Sequence, residues 1–178
     1  MVAHARPLRN DDSMPRELFG FGDPASVADW YPIDDAVMGG VSHSRLRHDA
    51  AGFAVFEGVV SLDRGGGFAS VRSRPHDLGA AGAVAYVLEV RGDGRRYKLS
   101  LRTDENFDGA SYQAGFDAPA AAWATVSVRI RDFVATFRGR RIGGAPPLDA
   151  ARVRQAGFVI ADRQAGAFAL AIRSIRAE

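Results

Sequence analysis

Two short stretches decide the fold: Tyr97-Lys-Leu-Ser-Leu-Arg-Thr103 and Ser111-Tyr-Gln-Ala-Gly-Phe-Asp117, joined by the acidic loop Asp104–Gly109. In the first, Tyr97, Leu99 and Leu101 alternate with Lys98, Ser100 and Arg102. Successive residues of an extended chain point to opposite faces, so a period of two marks a half-buried strand. Antiparallel pairing that matches both faces sets Leu101 opposite Tyr112, Leu99 opposite Ala114 and Tyr97 opposite Phe116. Arg102 then lies beside Ser111, and Ser100 beside Gln113. A slip of one residue would bury the polar set, which fixes the register. One face is core and the other is wet.

The pattern extends outward from this hairpin. Val84–Val90 alternates with Val84, Tyr86, Leu88 and Val90 on one face, and Gly92-Asp93-Gly94 turns it back. Trp123–Ile130 points Val126, Val128 and Ile130 inward. Ser42–Arg47, Phe53–Leu62, Phe68–Arg74, Gly157–Asp162 and Phe168–Ile175 read as further strands, with Gly52 at a turn and Gly58 at a bulge. Helix is confined to a turn after Pro24 capped by Ser26, and to a short segment over Leu148–Gln155 with Asp149 near its start. About ten short strands with turns every 8–12 residues predict an all-β sandwich or barrel. No repeat or linker divides it. A flexible polar tail over residues 1–17 and a single domain over 18–178 follow.

Composition sets the outer limits. A chain of 178 residues is long enough to bury about 70% of its unfolded surface. The absence of cysteine excludes disulfides and thiolate chemistry, and no apolar run approaches the length of a membrane span. The net charge is +2, and Lys98 is the only lysine. A codon preference for Arg and Ala accounts for the arginines, so no nucleic-acid partner is expected. The N-terminus has no apolar h-region, and Asp11 and Asp12 interrupt its arginines. Neither a secretory signal nor a mitochondrial presequence is read there, which leaves a cytoplasmic location as the default expectation.

Candidate chemistry is sparse. Asp104-Glu-Asn-Phe-Asp-Gly109 matches the first half of a calcium loop, but Gly115 stands where the bidentate Glu is required. Gly65-Gly66-Gly67 leads into a strand without the Lys-Ser/Thr of a phosphate loop. His4, His43, His48 and His76 are scattered, and Glu57, Glu89, Asp63 and Asp132 single out no carboxylate pair. No catalytic residue, metal or cofactor is expected. The wet face offers Arg72, Lys98, Arg102 and Gln113 as a polar patch suited to an anionic or carbohydrate ligand. Arg138, Arg140 and Arg141, interleaved with Phe133 and Phe137, form a basic rim.

One stretch is too particular for strand or loop filler: Trp30-Tyr-Pro-Ile-Asp-Asp-Ala-Val-Met-Gly-Gly-Val-Ser42. Its diglycine permits a backbone path closed to other residues. Asp35 is placed to accept hydrogen bonds from nearby backbone, and Trp30 and Met38 to plug the end of a sandwich. Together with Gly66-Gly-Phe-Ala-Ser-Val-Arg72, Arg91-Gly-Asp-Gly-Arg95 and Tyr112-Gln-Ala-Gly-Phe116, this stretch resembles the complex I intermediate-associated protein 30 family. The resemblance implies a galactose-binding-like jelly-roll β-sandwich with one or two short helices. It also implies a non-catalytic, chaperone-like assembly factor that binds a protein partner; a carbohydrate- or small-ligand-binding module is the alternative, and an unrecognised enzyme a remote third. The expected contact residues are Asp35, Met38, Ser42, Arg72, Lys98, Arg102 and Gln113.

Overall fold

A computed structural model describes residues 15–105 and 109–178, and its strands follow the alternation. They are β1 (Arg16–Gly20), β2 (Trp30–Pro32), β3 (His43–Asp49), β4 (Phe53–Val60), β5 (Ala69–Ser73), β6 (Ala85–Arg91) and β7 (Arg96–Arg102). There follow β8 (Ser111–Asp117), β9 (Ala124–Arg129), β10 (Val134–Phe137), β11 (Arg140–Arg141), β12 (Gln155–Ile160) and β13 (Gly166–Ala177). Helical structure among the described residues is limited to single 3-10 turns. The protein is an antiparallel β-sandwich.

One sheet runs β3-β4-β13-β6-β9, with β1 also on β13; the other runs β11-β10-β8-β7-β12-β5-β2. The β7–β8 pair has the register deduced from side-chain alternation: Tyr97 faces Phe116, Leu99 faces Ala114 and Leu101 faces Tyr112. The twelve-residue β13 carries β4 along its first half and β1 along its second, with a bulge between Ile172 and Ser174. Phe56, Leu88, Leu170 and Ile172 from one sheet meet Tyr97, Leu99, Leu101 and Phe158 from the other, all fully buried. A small second cluster of Phe53, Val55, Ala171 and Trp123 lies apart from it. The guanidinium of Arg173 stacks 4.0 Å from the Trp123 ring.

Four local expectations differ from the structure. Gly58 is not a bulge: it pairs in register with both Ser44 and Phe168. A side chain there would stand 2.0 Å from the His43 carbonyl oxygen, so the glycine serves close strand approach. The turn Pro24–Val27 is capped by Asp23, which accepts from the Ala25 N–H, and not by Ser26. Val84 precedes β6 and is 71% exposed, because the alternation there runs past the end of the core. Of the expected tail, residues 1–14 lie outside the described part, while Arg16 and Glu17 already pair with β13.

The sandwich has two contrasting edges. At one, β3 and β2 end their respective sheets and pack together; at the other stand β9 and the β10–β11 hairpin.

Candidate functional site

The Trp30–Ser42 stretch closes the first edge. Trp30 is buried and packs edge-on to Phe19 at 4.9 Å and against Phe158 at 6.1 Å. After β2 the chain makes a 3-10 turn over Asp35–Met38. Gly39 ends it at φ 87°, the left-handed region that favours glycine. Gly40 follows because a side chain at that position would stand 2.4 Å from the Asp35 carboxyl group. The two glycines therefore have different reasons, one conformational and one steric.

The acids form a clasp between the sheets. Asp35 is 1% exposed. It accepts from the Ser42 N–H at 2.9 Å, the Ser42 hydroxyl at 2.5 Å and the Gly67 N–H at 2.8 Å. The Ser42 hydroxyl oxygen in turn accepts from the Ser61 N–H at 2.9 Å. Asp34 repeats the device: it accepts from the Ser44 N–H and hydroxyl at 2.8 and 2.6 Å, and from the Ser70 N–H at 3.0 Å. Ser42 and Ser44 enter β3 in one sheet, while Gly67 and Ser70 enter β5 in the other. Burial alone pushes the Asp35 carboxyl up, but the bonds from Ser42, Gly67 and Phe68 outweigh it and hold the group below the usual carboxylate range. A carboxylate so surrounded is structural: its lone pairs are committed.

What the clasp leaves outside is apolar. Met38 is 60% exposed, so it does not plug the sandwich as expected, and Val41 and Val59 are 45% and 37% exposed at the same end. Of the motif residues expected to make contacts, Asp35 and Ser42 are internal and Met38 alone is presented to solvent.

The other four expected residues lie on the outer face of the seven-stranded sheet and do not converge. Arg72 pairs across to Gly157, Gly157 to Ser100, and Ser100 to Gln113. Three strand spacings of about 4.8 Å put Arg72 and Gln113 about 14 Å apart. Lys98 contacts Asp162 at 3.2 Å, and Gln113 bonds Ser111. Arg102 is only 4% exposed, with Asp104 3.8 Å away.

Sequence reasoning missed Asp34, Ser44, Ser61 and Ser70. The adjacent acids and the Ser-x-Ser spacing of Ser42 and Ser44 were the available signal. Among the described residues, no group of three or more His, Asp or Glu is placed to hold a metal. Positions 106–108 of the half calcium-loop pattern lie outside the described residues. Among the described residues, no helix is long and apolar enough to cross a membrane. Tyr86 and Tyr97 have their phenols pushed well above the usual range, in each case mainly by burial.

This architecture is that of the galactose-binding-like β-sandwiches. The chain superimposes on the family 11 carbohydrate-binding module of cellulosomal cellulase Lic26A-Cel5E of Clostridium thermocellum with a TM-score of 0.65 at 14% identity. The match covers 92% of this chain and 94% of that one and shows a common fold.

Within that class the chain belongs to the complex I intermediate-associated protein 30 family, whose model matches residues 19–172. It is 27% identical to the mitochondrial complex I intermediate-associated protein 30 of Neurospora crassa, over 90% of this chain and 72% of that protein. It is 28% identical to the Drosophila melanogaster protein of the same name, over 87% of this chain and 60% of that one. Neither name carries an enzymatic activity. Both relatives are named mitochondrial, which overturns the cytoplasmic expectation. That expectation was drawn from a missing signal, and the packing physics that fixes a β-sandwich says nothing about compartment.

Proposed function

We propose that this chain is a non-catalytic module that holds a protein partner, and that the partner is an assembly intermediate of respiratory complex I. One observation carries the reading. The signature stretch spends both acids on an internal clasp and so holds Met38 and Val41, with Val59 beside them, as an exposed apolar end on a braced frame. Rigid apolar groups presented to water at no conformational cost are what a protein interface uses as anchors. The relatives' names supply the kind of partner. The protein reading is favoured over the carbohydrate or anionic small-ligand reading because a small ligand needs convergent polar groups. Here Arg72, Lys98, Arg102 and Gln113 are dispersed, paired or covered.

The double variant Met38→Glu, Val41→Glu tests this. Both side chains point outward, so folding should be retained. Co-purification of complex I subunits with the tagged protein is expected to fall at least tenfold. Undiminished recovery of the same subunits by the folded variant would overturn the reading.

A further inference from the structure

The second edge of the sandwich carries a different surface. Residues 129–142 hold five arginines against one acid. Asp132 is spent on Arg129, which it binds at 2.8 Å through Nε and 3.2 Å through Nη2. Arg131, Arg140 and Arg141 are exposed and make no ion pair among the described residues. Arg138 sits at the tip of the β10–β11 hairpin, its guanidinium 5.3 Å from the Phe137 ring centroid. Large apolar side chains stand among these charges: Phe137 is 43% exposed, Ile142 37% and Val84 71%. Two open grooves of about 400 and 660 Å³ flank the edge and share Arg131 in their walls. Glu178 also lies at this edge: its carbonyl accepts from the N–H groups of Val84 and Ala85, and its carboxylate is 3.9 Å from Arg176.

We propose that this edge docks on an anionic lipid bilayer, with the arginines on headgroup phosphates and Phe137, Ile142 and Val84 at the acyl boundary. Charge complementarity names the occupant: the excess is positive, exposed at Arg131, Arg140 and Arg141, and carried on groups that pair well with phosphate. Shape favours a lipid surface over an acidic peptide. The apolar groups project between the charges, as they do on interfacial elements, and Phe137 and the arginine at the tip belong to a protruding turn. The surface lies at the edge opposite the clasp, so a protein partner at Met38 and a membrane at Arg140 are compatible on one molecule.

The test is sedimentation of the full chain with vesicles of phosphatidylcholine alone and with about one third phosphatidylglycerol, at low salt. The rim variant Arg138→Ser, Arg140→Ser, Arg141→Ser is compared with the charge-matched variant Arg74→Ser, Arg96→Ser, Arg152→Ser, whose arginines are also exposed. Binding to anionic vesicles only is expected. A gain of about 1 kcal/mol per basic residue near such a surface makes the rim variant on the order of 100-fold weaker; the control should stay within a few-fold of the parent. No binding of the parent to anionic vesicles, or equal losses in the two variants, would overturn the proposal. So would retention of the rim on an acidic polypeptide with none on vesicles. Circular dichroism of both variants separates misfolding from loss of docking, and neither variant touches Met38 or Val41.

Discussion

At the scale of single residues, Asp35 is the position on which the signature depends. It accepts donors from both sheets while nearly excluded from water, so removing its charge strands several N–H and O–H groups at once. Asp35→Asn turns one acceptor into a further donor and is expected to lower unfolding free energy by about 3 kcal/mol. Its pH dependence has a defined sign. The folded carboxyl lies below its ordinary value, so its contribution is fully present above that value, near pH 4. It is lost as pH falls from there through the depressed folded value. The stability gap between parent and Asp35→Asn, measured by urea unfolding, should therefore be constant near neutrality and shrink below about pH 4. A gap that widens on acidification would contradict the assignment. Asp35 itself was legible in the sequence because an acid beside a diglycine is unusual. Its distant partners Gly67 and Phe68 were not, because nothing in a single chain tells which distant N–H a carboxylate will meet. Arg102 misled for a related reason. Alternation put it correctly on the outer face, but Gly109 and Asp104 lie close to its guanidinium and it is buried. Alternation gives the side of a sheet, not what later covers it.

At the scale of elements, hairpins were the most legible part. Tyr97–Arg102 and Ser111–Asp117 each carry a complete alternation, and only one register satisfies both, so the pairing followed from the residues alone. Strand partners distant in sequence left no comparable mark. Gly58 illustrates the limit: a glycine inside a strand signals either a bulge or a close approach, and the choice depends on what β3 and β13 place beside it. The observed 2.0 Å separation from the His43 oxygen makes it a packing position against backbone, which cannot rotate away. Gly58→Ala is accordingly expected to cost about 3 kcal/mol, at the upper end for overpacking. Calorimetry should show its Tm falling by several degrees. A neutral Gly58→Ala would mean that β3 is free to shift along β4.

At the scale of the whole molecule, the two edges differ in character. The clasped edge joins the sheets through Asp34 and Asp35 and leaves Met38 and Val41 outside; the opposite edge is basic and aromatic. The all-β class was legible because nearly every segment alternates, and the fold family followed from the signature residues. The compartment was not legible, since it had been inferred from a missing signal. The central claim is that the clasped end is the partner-binding end. Its most direct measurement is photo-cross-linking in the native host with benzoylphenylalanine in place of Met38, and in a second strain in place of the exposed Arg74, followed by mass spectrometry of the adducts. Cross-links from position 38 to complex I subunits, with none from position 74, are predicted. Equal cross-linking from both positions, or no complex I subunit from position 38, would contradict it.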